Sequence, residues 1–424
     1  MGSLTIYYLL VFLLVFAAVS WRNLRVAVYL ILAGLPLYLI KFKFGPIPTT
    51  LLELMLYAAV AVWLAQVFLR RASINWSAVR YYAEPLLFVA VGLFLGVMVS
   101  TNKNLSLGIV KGWFVDPILL FALMTSVLDR HLHIKKSIVA LMLPAIILSA
   151  FAIYQVVNHN FVTVDQRASS VFSSANYLSL FLVPIMILSL GLFSSVARKF
   201  RWWVVISWLL MATALYFTFS YAGWLGVLVG IGVFALLLTR WWWAAAGGVV
   251  ALVLAVASQW QHPKFQQMLD LAGHSSSHVR LQVWQTAWLM IRENYLSGIG
   301  LGLFEKRYLD FAQRLFHPPL ELRMLHSHNI ILQFMINTGI FGTIGFLWLL
   351  LNFLRRIWGE AISGKNVLAA AILASMAALL THGMLDLAYW KNDLSALFWA
   401  ILAFGIILGP LSVDATRKYS HNRN

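Results

Sequence analysis

SIVALMLPAIILSAFAIYQVV, residues 137–157, carries no charged side chain, and Arg130, Lys135 and Lys136 stand just before it. A bilayer hydrocarbon core about 30 Å thick is crossed by roughly 20 apolar residues in a helix. Lipid offers the backbone no partners, so such a run must be helical, and it is about twice as long as a barrel strand. The pattern recurs at 4–20, 24–40, 50–69, 85–100, 107–127, 177–196, 202–219, 222–239, 242–259, 329–353, 366–386 and 394–412. The first two runs are short and nearly continuous, so the count is twelve or thirteen. No small-residue cleavage site follows a basic start, and the first run is expected to be a retained span.

Composition agrees. Of 424 residues, 62% are apolar and 11% charged, with a mean hydropathy of +0.83. Soluble domains are about a quarter charged, so a water-soluble enzyme, a disordered tail protein and a nucleic-acid binder are excluded. There is no cysteine, hence no disulfide or thiolate chemistry. The net charge of +17 fits basic loops beside a membrane. Arg70, Arg71 and Arg80 form one cluster, and Arg130, Lys135 and Lys136 a second. Arg198, Lys199 and Arg201, then Arg355, Arg356 and Lys365, then Arg417, Lys418 and Arg423 form three more. Every second loop is basic, which predicts that these loops and the C-terminus are cytoplasmic. The N-terminus is outside with thirteen spans and inside with twelve. The fold class is all-α, a polytopic integral membrane protein. Residues 1–259 form N-terminal transmembrane helices, 260–328 a large outer loop, and 329–424 C-terminal transmembrane helices with a cytoplasmic tail.

Residues 260–328 hold seven Lys/Arg, five Asp/Glu and six of the eleven histidines. A connector of this length is a functional element when it is patterned. Ser277 is the expected cap of a helix reaching about Asn294. Val279, Val283, Trp284, Ala287, Trp288 and Ile291 make its apolar stripe. Gly298, Gly300 and Gly302 break it, and a second helix is expected from about Phe304 to Phe316. No strand precedes the glycines, so a dinucleotide loop is a poor reading. Two cation features stay open. Lys41 and Lys43, on the outer side, either snorkel or anchor a lipid phosphate. Lys111, inside the fifth run, needs a wet cavity or a partner, or else snorkels.

The strongest motif is His328-Asn329, nine residues, then Gly339-Ile340-Phe341-Gly342. Gly339 and Gly342 can admit a close neighbouring helix. The stretch resembles the signature of the O-antigen ligase family of membrane glycosyltransferases. Arg280 to Trp284 with Leu296 to Gly300 is similar to that family's Arg-containing periplasmic helix and Gly turn. Arg167 to Phe172 with Asn176-Tyr177 resembles its Arg-to-Asn motif. His382 to Asp386, with Lys391 and Asp393, resembles the segment between its last two spans. Where many members carry a Ser-Arg-Gly-like turn, this chain has Ser220-Tyr221-Ala222-Gly223, so another cation (Arg167, Lys41 or Lys43) must take that arginine's part.

The resemblance implies a GT-C-like bundle in a Gram-negative inner membrane with a periplasmic active site. It implies transfer of O-antigen glycan from undecaprenyl diphosphate to a sugar hydroxyl of lipid A–core. That reaction needs a base for the hydroxyl and cations for the departing diphosphate. Histidine suits the first and the planar fork of arginine the second. His328 is the expected base and Arg280 the expected catalytic cation, with Arg167, Lys41 and Lys43 also on the diphosphate. His326, Asn329, Gly339, Gly342, Asn176, Tyr221, His382, Asp386, Lys391 and Asp393 are supporting residues. The last group of four can equally satisfy one another structurally. On a helix start His326 and His328 point about 200° apart. His326-Ser327-His328 has no further metal ligand nearby in sequence, and no Asp-x-Asp pair stands in the outer segment. No metal and no cofactor are therefore expected, and direct displacement inverts the anomeric centre. O-antigen polymerase and protein O-glycosyltransferase are sister activities. A lipid or polysaccharide transporter is disfavoured, because no hydropathy repeat or matched pair of broken helices is present.

Overall fold

A computed structural model describes residues 3–44, 47–163, 165–193, 196–238, 242–261, 265–266, 275–363 and 366–409. Arg417, Lys418 and Arg423 lie outside them. Helices α1 (Ser3–Arg22) and α2 (Leu24–Ala33) meet at Asn23, whose extended backbone interrupts the helix. Its side chain accepts from the N–H groups of Arg25 and Val26. Trp21 and Arg25 touch Gln66 and Asp129 respectively, so this joint lies at the end marked by the second-loop basic clusters. The two helices are thus separate elements.

The expected run 24–40 is not one helix. Gly34 ends α2, and Pro36 begins a 3-10 turn, Leu35–Leu39. An antiparallel hairpin follows, β1 (Lys41–Phe44) and β2 (Ile47–Thr50), with Lys41 opposite Thr50. Alternation buries Phe42 and exposes Lys41 and Lys43. A capping box of Thr50 and Glu53 then opens α3 (Leu51–Phe68).

The chain continues through α4 (Trp76–Tyr81), α5 (Ala83–Val99), α6 (Lys103–Val110), a π turn (Lys111–Val115) and α7 (Asp116–Val127). Next come α8 (His131–Val157), α9 (Ala175–Phe193), α10 (Arg201–Phe217), α11 (Tyr221–Leu237) and α12 (Trp242–Ser258). The segment before residue 329 carries α13 (Ser276–Glu293) and α14 (Phe304–Ala312). The last helices are α15 (Ile330–Ile362), α16 (Val367–Gly383) and α17 (Asn392–Leu408). Among the described residues six helical stretches are long and apolar enough to cross a membrane, and shorter apolar helices pack among them. The fold is an all-α polytopic membrane protein with one small hairpin. Lys111 has its partner: its Nζ lies 2.6 Å from Glu53 Oε2 and 3.1 Å from the Pro48 carbonyl, which ties the π turn to the start of α3.

Glycine brings α5 and α15 together. A β-carbon on Gly92 would run into the backbone of Gly342, and one on Gly345 would crowd Val89. Gly342 thus does what its spacing predicts. Gly339 acts differently. With φ 62° and ψ −163° it kinks α15, and the backbone of Leu296 and Ser297 occupies the space of its missing side chain. That conformation is essentially reserved for glycine and costs other residues about 1–3 kcal/mol before any clash. Gly339→Ala is therefore expected to lower the thermal unfolding midpoint sharply, whereas Gly359→Ala, where a β-carbon meets open space, leaves it unchanged.

Helices α13 and α14 share a small core of Val283, Ala287, Met290, Ile291, Ile299, Phe304, Tyr308 and Phe311 with Ile336 of α15. Helix α13 is capped by Ser275, not Ser277: the Ser275 hydroxyl accepts from the N–H of His278 at 3.0 Å. Trp288 leaves the expected stripe and is exposed, while Met290 takes the inward place. Gly298, Gly300 and Gly302 all have positive φ and seat their loop against α15, Ser100 and Ile109. The N–H groups of Gly298, Ile299, Leu301 and Gly302 donate within the protein, so the glycines position the segment.

Candidate active site

His328 occupies the residue before the cap of α15. Asn329 is that cap: its side chain accepts from the N–H groups of Ile331 and Leu332 at 2.9 and 3.0 Å and donates to the Met384 carbonyl at 3.0 Å. On the other side, Ser327 is buried and held by Gln333 through its N–H and hydroxyl, and the Trp284 indole donates to its carbonyl. Pinned on both flanks, His328 adopts φ 51°, a left-handed conformation uncommon outside glycine. Strain of this kind persists only where surrounding contacts impose it.

Arg167 is fixed by a different set. Gln155 at the end of α8 accepts from the N–H groups of Ser169 and Ser170 and donates back to the Ser170 carbonyl. The Ala168 N–H donates to Phe217. The loop thus held aims Arg167 Nη1 at Asn176 Oδ1, 3.1 Å, and at the Thr218 carbonyl, 3.2 Å, while its Nε pairs with Asp165. Asn176, in the first turn of α9, donates to Asp386 Oδ2 at 2.7 Å. The other oxygen of Asp386 lies 3.3 Å from His328 Nδ1. Arg167, Asn176, Asp386 and His328 therefore form one continuous line, drawn from three helix ends and a loop.

The remaining candidates surround this line. Arg280 on α13 has a buried Nε with no hydrogen-bond partner among the described residues. Burial pushes its guanidinium down while Asp386 opposes the shift, and arginine stays protonated at physiological pH. His326 and His328 lie in irregular backbone before α15, with ring centroids 4.3 Å apart at 68°. The expected 200° separation is wrong, because neither residue is helical and the two rings lie against each other. Burial, then the nearby His328, pushes the His326 imidazole down to about 4, so it is neutral at pH 7. His382 is buried below Asp386, and neither ring nitrogen has a hydrogen-bond partner among the described residues. Lys391 precedes α17, and Asp393 is buried in its first turn. Lys41 bears electrostatically on Lys391. No contact among the described residues ties Lys43 to the cluster. Tyr221 donates to Gln259 at 3.2 Å and packs on Trp224 and Phe265. Gly339 and Gly342 shape α15 and lie away from the chemistry.

The metal question looks different in three dimensions. His326, His328 and Asp386 offer ligand atoms within 4.8 Å of one another. The third ligand, remote in sequence, completes a two-histidine, one-carboxylate set that the His326-Ser327-His328 spacing alone does not reveal.

A family model described as O-antigen ligase matches residues 205–347, a stretch that contains Arg280, His326 and His328. Over that part of its length the chain is similar to the O-antigen ligase family. A protein of Rickettsia conorii (strain Malish 7), provisionally named a polysaccharide ligase, is 23% identical over 354 residues. The alignment spans 79% of this chain and 82% of that protein. Arg167, Asn176, Asp386 and Lys391 lie outside the stretch matched by the family model, and the packing brings them to the same place as His328.

Proposed function

We propose that this protein is an O-antigen ligase. In this reading it is an inverting, metal-independent glycosyltransferase acting on the periplasmic side of a Gram-negative inner membrane. The donor is glycan on undecaprenyl diphosphate, and the acceptor is a sugar hydroxyl of lipid A–core. The observation that carries the reading is the line Arg167–Asn176–Asp386–His328 with Arg280 beside it. A nucleophile-activating imidazole needs a carboxylate or similar group to fix its orientation. Asp386 supplies one to Nδ1 of His328, which leaves the other ring nitrogen as the base for the acceptor hydroxyl. As the hydroxyl oxygen attacks the anomeric carbon, the bond to the diphosphate oxygen breaks, and negative charge grows on the leaving group. Arg280, whose Nε is unpartnered, and Arg167 offer N–H donors to that charge. These residues sit at helix ends, or for Arg167 in a loop, opposite the basic clusters, which supports a periplasmic site by the positive-inside rule.

Reconstitution with purified undecaprenyl-diphosphate glycan and each acceptor class tests the reading. Sugar transfer to lipid A–core supports the ligase. Transfer only to another glycan or to a protein selects a sister activity, and lipid movement without bond formation selects a transporter.

Metal independence is tested at the same time. Full turnover is expected in excess chelator. Loss of turnover that a divalent ion restores would make His326, His328 and Asp386 metal ligands and would remove His328 as the base.

A further inference from the structure

Lys391 stands apart from the other cations of the site. Its Nζ lies 3.3 Å from the centroid of the Tyr177 ring, 5.6 Å from Tyr38 and 5.7 Å from Phe172. The three rings come from the 3-10 turn before the hairpin, the loop that holds Arg167, and the first turn of α9. Aromatic faces attract an ammonium without neutralising it. They accept no conventional hydrogen bond, and an ammonium has three donors to satisfy. Among the described residues no carboxylate lies within 4.0 Å of Lys391 Nζ, and no hydrogen bond engages it. Arg167, by contrast, is paired with Asp165 and donates to Asn176 and Thr218.

We infer that Lys391, held in the Tyr38–Phe172–Tyr177 cage, is a phosphate-binding cation of the site, acting with Arg280 on the diphosphate of the lipid-linked donor. The inference rests on the proposed ligase reading. Its geometric content is an ammonium held by rings that leave its donors open, beside the Asp386–His328 pair. Lys391 bears electrostatically on His326, and Asp386 bears on Lys391. Burial pushes the Lys391 ammonium down to about 8, partly opposed by Asp393, so it is mostly charged at pH 7. A compact, rotatable ammonium suits a phosphate oxygen whose position shifts as the leaving group departs. The same chemistry would also hold the phosphate of a bilayer lipid, so the test must separate the two sources.

The probe is inorganic pyrophosphate, titrated into the full-length protein in phosphatidylcholine nanodiscs. Lys391→Met is expected to weaken pyrophosphate at least tenfold with an unchanged thermal midpoint. Lys391→Arg, which keeps the charge, should recover most of that affinity. Tyr177→Leu, which keeps the lysine and opens the cage, should give an intermediate loss and raise KM for the lipid-linked donor more than it lowers kcat. Unaltered pyrophosphate affinity in Lys391→Met overturns the inference. If Lys391→Met does not fold, unaltered affinity and KM in Tyr177→Leu overturn it. Loss of a co-purifying phospholipid without change in pyrophosphate affinity assigns the cation to a lipid headgroup and also overturns it. His328→Ala separates this inference from the ligase reading. If that variant keeps full turnover, the catalytic reading fails, while a Lys391-dependent pyrophosphate site measured in the same background still stands.

Discussion

His328→Ala is expected to fold, to bind the lipid-linked donor, and to lose turnover by roughly 10²–10⁴, the usual contribution of a positioned base. The fold should survive because Asn329 and Ser327, not the imidazole, hold this turn. Alanine tolerates φ 51° less well than histidine or asparagine does, so His328→Asn is the better control of backbone strain. It keeps the left-handed conformation and lacks a base. Both variants should be equally inactive. Asp386→Asn tests the orienting role: it preserves the contact with Asn176 in shape but removes the charge facing Nδ1. Its kcat should fall while KM for the donor changes little. The His326 ring packs against that of His328. Loss of activity in His326→Ala is therefore expected from packing alone, and His326→Phe, which keeps a planar ring, is the informative replacement. Near-normal transfer by His328→Ala would sink the base assignment.

Acid should also weaken the fold at this point. The His326 pKa of about 4 lies below the value near 6.5 of an unfolded chain. Between those two values the unfolded state binds the extra proton, so stability is complete above about 6.5 and declines as pH falls towards 4. His326→Phe should flatten that part of the stability profile, measured as thermal midpoint against pH.

What could be read in the chain was set by local chemistry. Hydropathy runs mark helices because lipid leaves the backbone no alternative. Gly342 announces a close helix because only a missing side chain permits one. The capping of α13 was misplaced by two residues, since Ser275, Ser276 and Ser277 offer the same hydroxyl and only the packing selects among them. The hairpin at Lys41–Thr50 was missed because an apolar run hides where Gly34 and Pro36 stop the helix. Most of the named site residues do converge, yet their partnership was not legible. Asn176, Asp386 and His328 are joined by contacts between distant parts of the chain, for which a single sequence holds no local signal. Asp386 looked no more catalytic than Asp393. One is aimed at His328, while the other bears on Lys391 from inside α17. Lys391 likewise reads only as a supporting residue in sequence, because its cage is assembled from three separate segments.

Arg280→Lys is expected to be a severe change, with turnover falling about 100-fold or more. Lysine keeps the charge and loses the planar fork that can hold two phosphate oxygens at once. Helix α13 places Arg280 on its half-buried side, where Val283 and Ala287 one and two turns on are buried, so the side chain has little freedom to relocate. Its buried Nε has no hydrogen-bond partner among the described residues. A guanidinium left unpaired at such a site is poised for an anion that arrives from outside, and the developing diphosphate is the anion the proposed reaction supplies. The effect should therefore fall on kcat more than on ground-state binding, because the charge on the bridging oxygen grows only as the glycosidic bond breaks. Arg292→Lys, at the exposed end of the same helix, is the matched control and should be neutral. If Arg280→Lys transfers glycan at a near-normal rate with normal protein levels, Arg280 is a buried surface-helix charge, and stabilisation of the leaving group must come from Arg167 and Lys391 alone.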